Sequence, residues 1–511
     1  MTHYPADTVI DLLARGADAH QAIGAPGRPW LTHAGLRDQV QRTIADLNRM
    51  GIGRNDRVAI VLPNGPEMAA AFVAIAAGAT TAPLNPAYKT DEFEFYLSDL
   101  NARALLIQQG MESPSCAVAA ARAIPIIELI PNADGPAGSF VMQPPSSLFG
   151  SPIHGGAAAA QDVALVLHTS GTTSRPKIVP LRHINITASA YHIGETLALT
   201  PDDVCLNIMP LFHIHGLIAA TLSSLAAGAA VCCTPGFNAF RFFSWFAAVR
   251  PTWYTAVPTM HQAILNLAKR NEATIKASRL RFIRSSSSSL PPQVMEMLEQ
   301  TFGVPVIESY GMTEAAHQMA SNPLPPRKRY PGSVGIAAGP EIAIMDADGN
   351  LLRPGELGEV VIRGRDVTDG YENNPEANAA AFTNGWFRTG DQGFLDEDGY
   401  LRLSGRLKEL INRGGEKISP IEVDVVLMDH PAVAQCLTFA VPHAMLGEEV
   451  AAAIVLNEGA ACTEHELRDF AGTRLAPFKV PRKIVFLEEI PKGATGKLQR
   501  IGLAEKLGIT A

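Results

Sequence analysis

The run His168-Thr169-Ser170-Gly171-Thr172-Thr173-Ser174-Arg175-Pro176-Lys177 concentrates small hydroxyl side chains and a glycine ahead of a lysine. Backbone N–H groups and hydroxyls in such a loop can wrap a polyphosphate, and the lysine supplies charge. Thr169, Ser170, Gly171, Thr172, Thr173 and Lys177 are the candidate phosphate ligands. The run is not a Walker A loop. That pattern needs Gly before the lysine and Ser or Thr after it, where Pro176 and Ile178 stand. A polar surface turn has the same composition, so the choice rests on the remaining chain.

Four more stretches carry residues suited to nucleotide chemistry. Glu308-Ser309-Tyr310-Gly311-Met312-Thr313-Glu314 places a threonine and a glutamate behind a strand end. They suit a phosphate contact and a Mg²⁺ contact; the other reading is a helix start capped by Thr313. Asp391 follows Gly390, as a carboxylate accepting two ribose hydroxyl protons would, and an ordinary Gly-Asp turn reads the same way. Arg284 and five serines, 285–289, form a loop whose small side chains let a ligand approach. Lys497 ends Pro491-Lys492-Gly493-Ala494-Thr495-Gly496-Lys497, a loop expected to lack apolar cover and to present the lysine to a ligand. His213 and His215 would share one face of an extended segment. No Cys, Asp or Glu lies near them, so packing competes with metal binding.

The elements that must position these residues are legible from periodicity. Residues 163–167 are an apolar run that reads as a buried strand leading into the phosphate loop. Before it, helices at 36–50 and 66–77 alternate with strands at 57–62, 80–84 and 104–107. That alternation implies a parallel sheet covered by helices, an α/β fold. Strands are expected at 280–283 and 304–310, with a helix at 292–302 between them. Residues 331–403 read as β-rich, with turn signals at Asp348-Gly349-Asn350, Pro354-Gly355 and Asp398-Gly399. From Glu409 onward the chain reads as a compact α+β piece.

Composition narrows the function. The chain has 511 residues, 47% hydrophobic and 18% charged, which is a globular protein of more than one domain. A net charge of −8 argues against nucleic acid as a partner. Six cysteines with no C-x-x-C pair make no disulfide framework and fit a reducing cytoplasm. No secretory signal or C-terminal Ser-Lys-Leu address is seen. The apolar stretch 217–233 is short for a membrane span and contains Thr221, Ser223 and Ser224; a buried helix and strand joined near Gly228 is expected.

Taken in order, these motifs resemble the adenylate-forming superfamily of acyl-CoA synthetases, luciferases and peptide-synthetase adenylation domains. Residues 169–177, 310–314, 388–391, Gly405-Arg406, Gly414-Gly415 and 491–497 fall where that superfamily has its signatures, and the likeness covers nearly the whole chain. The resemblance implies a large domain at 1–407, with parallel sheets and a β-rich subdomain, and a small mobile α+β domain at 408–511 hinged near Lys408. It gives the ATP phosphates to 169–177, phosphate and Mg²⁺ to Thr313 and Glu314, and the ribose to Asp391 and Arg406. Ser287, Ser288, Glu308, Ser309, Tyr310 and Gly311 would line the nucleotide site. Lys497 would grip the carboxylate and α-phosphate during adenylation. Gly414, Gly415 and Lys417 would border the coenzyme A channel after the small domain rotates.

The implied reaction joins a carboxylate to ATP, releasing pyrophosphate, and then passes the acyl group to the thiol of coenzyme A, releasing AMP. Charge builds on the α-phosphoryl oxygens, where a lysine and Mg²⁺ stabilise it. Within the superfamily, the Ser174-Arg175-Pro176-Lys177 form resembles the oxalate–CoA ligase branch. So do Phe212-His213-Ile214-His215-Gly216, Trp253-Tyr254-Thr255-Ala256-Val257-Pro258-Thr259, Arg281-Phe282-Ile283-Arg284-Ser285 and Ala315-Ala316-His317. Ile178 stands where common members have Gly, a departure without an explanation in the sequence. A small dicarboxylate needs donors for its second carboxylate, and His215, Ser286, Ser289 and His317 are the candidates. Oxalate is the expected substrate. Malonate, an aryl or medium-chain acid, a carrier-loading adenylation enzyme and a luciferase-like oxygenase remain alternatives.

Overall fold

The computed structural model describes residues 4–146, 148–169, 176–493 and 497–509. Its elements form four sheets. The first has seven strands and is built on the alternating pattern of the first third of the chain. Strands Arg57–Val61, Thr80–Pro83, Ala104–Gln108, Ile126–Pro131 and Val163–Thr169 run parallel. Phe140–Gln143 and Lys177–Arg182 close its edges antiparallel. Every residue of helix Pro66–Ala76 except Glu67 is buried, which is why it reads as an apolar run with little amphipathic contrast.

The second sheet has nine strands. Gln21–Gly24, Ala230–Cys233, Val204–Asn207, Trp253–Ala256, Phe282–Ser285 and Val306–Met312 are parallel in that spatial order. Parallel central strands are covered on both faces, so their residues are apolar without alternation; Trp253–Ala256 and Phe282–Ser285 are buried at every position. His317–Ser321 and Ile336–Ala337 extend this sheet antiparallel. One large apolar cluster draws side chains from both parallel sheets and the helices between them.

Two expected strands are displaced by about two residues toward the C-terminus, to Phe282–Ser285 and Val306–Met312. Trp253 pairs with Phe282, and Ile283 with Val306, so ladder register rather than apolar content sets their starts. The stretch 217–233 is a π-helix, His215–Leu222, a helical turn, Ser223–Ala226, and the strand Ala230–Cys233, with the turn at Gly228. The hydroxyls of Thr221, Ser223 and Ser224 donate to the carbonyls of Gly216, Ala219 and Ala220, so each polar group in the run is satisfied internally. Among the described residues no helix is long and apolar enough to cross a membrane.

The β-rich stretch forms a third, antiparallel sheet of Glu341–Met345, Gly358–Arg363, Phe382–Thr383, Trp386–Leu395 and Leu401–Arg406. It also holds a helix, Pro375–Ala381, started by Asn374 accepting from the Ala377 N–H. The fourth sheet begins at Ile411 and contains Ile411–Arg413, Glu416–Ile418, Val433–His443, Gly447–Leu456 and Lys483–Phe486. Its two faces carry separate apolar clusters, drawn from residue 411 onward. Side chains tie this unit to the rest: Gln262 Nε2 donates to the Ala434 carbonyl at 3.2 Å, and Gln293 donates to the Asp429 carboxylate.

Candidate active site

Three sheets bring their strand ends to one cleft. Strand Val306–Met312 delivers Tyr310, whose hydroxyl donates to Asp391 Oδ2 at 2.5 Å. Asp391 lies opposite Arg406 in the third sheet, and Arg406 Nε meets its other oxygen at 3.1 Å. Burial raises the pKa of Asp391, while Arg406 and the Tyr310 hydroxyl pull it down. A carboxylate fixed from both sides in this way is a rigid acceptor for a vicinal diol.

Beyond Met312 the chain makes a single 3₁₀ turn, Thr313–Ala315. Thr313 lies within the turn and Met312 occupies the cap position, so Thr313 is not a helix cap. Glu314 is buried and accepts from the Tyr371 hydroxyl at 2.8 Å. Burial raises its pKa, opposed by Tyr371, Arg406 and Lys177. Lys177 Nζ sits 4.2 Å from the centre of the Tyr371 ring. Among the described residues no basic side chain is within ion-pair distance of Glu314. A buried carboxylate beside a threonine, with no cation of its own, fits a hard divalent ion held through oxygen. Tyr371 is not marked in the sequence, since a Gly-Tyr pair in a β-rich stretch carries no chemical signature.

Thr169 pairs with Lys177 across the antiparallel ladder of Val163–Thr169 and Lys177–Arg182. The two thus bracket the predicted phosphate loop at the cleft. Ser170, Gly171, Thr172 and Thr173 lie outside the described residues. Ile178 is 5% exposed, joins the apolar cluster of Ala59, Val61, Leu84 and Val166, and gives its carbonyl to the Glu372 N–H. Core packing accounts for the side chain that the sequence left unexplained.

The other wall holds the histidines. His213 and His215 are not on an extended segment; His215 opens the π-helix that follows. His215 Nδ1 lies 3.0 Å from Ser287 Oγ, and Nε2 lies 2.6 Å from Thr255 Oγ1. Its ring is 5.0 Å from that of His317. Among the described residues no group of three or more His, Cys, Asp and Glu is arranged to hold a metal. Ser287 has φ +75° and is held there by His215, a local strain of the kind found at ligand sites. Ser286 is buried and donates its hydroxyl proton to the Ser309 carbonyl at 3.0 Å, which leaves it no proton for a substrate. Ser288 and Ser289 are exposed. Glu308 is buried, accepts from the Leu290 N–H at 2.8 Å, and burial raises its pKa to about 8. Gly311 packs so tightly that a Cβ there would lie 1.6 Å from the His317 carbonyl oxygen; only glycine lets His317–Ser321 turn back against this strand.

Lys497 is half-buried and close to the same cleft, not on an open loop. Its pKa is lowered to about 8, by burial and then by Arg406, with Asp391 opposing. Burial depresses the pKa values of His213, His215 and His317, and the Lys497 charge adds to that in each. Gly414, Gly415 and Lys417 lie on the exposed hairpin joining Ile411–Arg413 to Glu416–Ile418. Both glycines have positive φ, +60° and +97°. Lys408 is exposed in the turn between the third and fourth sheets.

The cleft therefore combines a diol acceptor, a buried carboxylate near a lysine, and a second lysine delivered by the C-terminal unit. The AMP-binding enzyme pattern matches residues 13–372, and the pattern of that family's C-terminal domain matches residues 422–497. The chain belongs to the AMP-binding enzyme family. Among its relatives, the oxalate–CoA ligase of Arabidopsis thaliana is 46% identical over 97% of this chain and 98% of its own. The oxalate–CoA ligase of Saccharomyces cerevisiae is 44% identical over 88% and 87%. Among solved structures, ATP-bound MatB from Rhodopseudomonas palustris superimposes with a TM-score of 0.86 at 28% identity, covering 98% of both chains.

Proposed function

We propose that this chain is an ATP-dependent oxalate–CoA ligase that works through an oxalyl-adenylate. The observation that carries the reading is Asp391 held between Arg406 and the Tyr310 hydroxyl, with buried Glu314 held by Tyr371 and Lys497 close to the same groups. Asp391 and Arg406 bind the ribose, with Tyr310 holding Asp391 in place. Thr169 and Lys177, with the residues between them, bind the phosphates. Glu314 and Thr313 would hold Mg²⁺, which neutralises phosphate charge. Lys497 stands between nucleotide and acid and stabilises the charge that develops as the carboxylate oxygen attacks the α-phosphorus. Pyrophosphate leaves in that step. The thiolate of coenzyme A then attacks the acyl carbon, and AMP leaves with the electron pair.

The relatives that act on oxalate support this substrate, as does a cleft wall made of polar and cationic groups. On this reading the domains divide at Lys408, and residues 408–511 rotate between the half-reactions. The hairpin at Gly414 and Gly415 then faces coenzyme A. A cytoplasmic location agrees with six free cysteines. The test is product analysis by mass spectrometry with oxalate, ATP, Mg²⁺ and coenzyme A. Oxalyl-CoA, AMP and pyrophosphate in equal amounts are expected, and Lys497→Ala should abolish all three. Pyrophosphate without thioester would point instead to a carrier-loading enzyme.

A further inference from the structure

Glu314 and Lys177 reach the cleft from different sheets, and one short segment joins them. Residues 368–372 follow the strand Gly358–Arg363 of the third sheet. The Thr368 N–H donates to the Glu314 carbonyl at 2.7 Å, and the Thr368 hydroxyl donates to the Pro180 carbonyl at 2.9 Å. The Glu372 N–H donates to the Ile178 carbonyl at 3.1 Å, and the Glu372 carboxylate pairs with Arg57. The segment thus fastens the turn after Val306–Met312 to the strand Lys177–Arg182. Tyr371 lies within it. Asn378, on helix Pro375–Ala381, accepts from the Tyr371 N–H at 2.7 Å and donates to the Tyr371 carbonyl at 2.8 Å. The backbone of Tyr371 is therefore held on both sides of its Cα.

The side chain makes two separate contacts. Its hydroxyl donates to Glu314 Oε1 at 2.8 Å, and the face of its ring lies 4.2 Å, measured from the centroid, from Lys177 Nζ. Burial and the Glu314 carboxylate both raise the pKa of the phenol, so it stays a donor. The ring gives the ammonium a seat other than the carboxylate. A buried carboxylate and a nearby ammonium otherwise pair, because an uncompensated buried charge is costly. That pair would use up both groups. The carboxylate is what a hard divalent ion takes as a ligand, and the ammonium is what a phosphate takes as a counter-charge.

We propose that Tyr371 is a positioning residue of the nucleotide site: its hydroxyl fixes Glu314 for the divalent ion, and its ring face keeps Lys177 for the phosphates, so that the two do not neutralise each other. This rests on the roles given to Glu314 and Lys177 above. The two functions sit on different parts of one side chain and can be removed separately. Phenylalanine keeps the ring and the spacing and loses the hydroxyl. Leucine loses both. A tyrosine that only filled space would show no such division, since its removal would disturb the metal-bound and metal-free nucleotide alike.

The test is calorimetric titration of the full chain with ATP, once with Mg²⁺ and once in EDTA, with no acid present and hence no turnover. Tyr371→Phe should raise Kd for MgATP by about tenfold, as loss of a hydrogen bond to a charged group does, and leave Kd for metal-free ATP unchanged. Tyr371→Leu should raise both constants, that for metal-free ATP by roughly fivefold, so that the phenyl ring alone rescues metal-free binding. Equal shifts of the two constants in Tyr371→Phe, or no shift in either, overturn the assignment. Wild-type metal-free affinity in Tyr371→Leu also overturns it. If Tyr371→Leu does not fold, Tyr371→Phe decides. Glu314→Gln separates the proposal from the reading beneath it. Weakened MgATP binding in Glu314→Gln with none in Tyr371→Phe overturns the role of Tyr371 alone, and wild-type MgATP affinity in Glu314→Gln overturns both.

Discussion

Lys497 and Ile178 show how single side chains set the behaviour of the cleft. On the proposed mechanism the ammonium of Lys497 is the form that stabilises the developing phosphoryl charge. With its pKa lowered to about 8, it is protonated below that value and loses its proton as pH rises through it. The adenylation kcat/KM should therefore be flat up to about pH 8 and fall about tenfold per pH unit above it. Lys497→Arg should remove that limb, because a guanidinium stays charged; a wild-type profile level to pH 10 would contradict the assignment. Ile178 is buried among Ala59, Val61, Leu84 and Val166. Ile178→Gly empties that space and should cost about 3 kcal/mol or more of local stability, read as a lower melting temperature. An unchanged melting temperature would show that the neighbours collapse into the gap.

At the scale of elements, parallel strands deliver chemistry at their C-terminal ends, where ligands of open α/β sheets bind. Val306–Met312 ends at Thr313 and Glu314, and Phe282–Ser285 ends at the serine loop. These elements were readable in the sequence because buried parallel strands are continuous apolar runs. Their starts were not, since pairing of Phe282 with Trp253 and of Val306 with Ile283 sets them. The π-helix at His215 was hidden for a related reason. Its residues are buried all round, so no polar face marks its period. The exposed hairpin at Gly414 and Gly415 makes a separate prediction. With φ at +97°, Gly415 admits a side chain only under strain. Gly415→Val should leave oxalate-dependent pyrophosphate exchange intact while slowing thioester formation by about tenfold or more, since on the proposed mechanism only the second half-reaction uses this face. Equal loss in both half-reactions would place the hairpin elsewhere in the mechanism.

Across the whole molecule, the two parallel sheets, the β-rich sheet and the C-terminal unit each contribute residues to one cleft. The nucleotide half of that cleft was legible because diol, phosphate and metal contacts need residue types that recur in short runs, as at 310–314 and 388–391. The acid half was less so. His215 and His317 lie far apart in the sequence, and only the packed structure brings their rings to 5.0 Å. Ser286 shows the reverse, a plausible donor in the sequence whose proton the fold gives to a backbone carbonyl. The central claim is that this cleft selects a compact dianion. The most direct measurement is kcat/KM for pyrophosphate release across oxalate, malonate, succinate, acetate, 4-coumarate and octanoate, with ATP, Mg²⁺ and coenzyme A. The account predicts oxalate first, with a steep fall as the second carboxylate recedes or disappears. Preference for coumarate or octanoate, with oxalate silent, would contradict it.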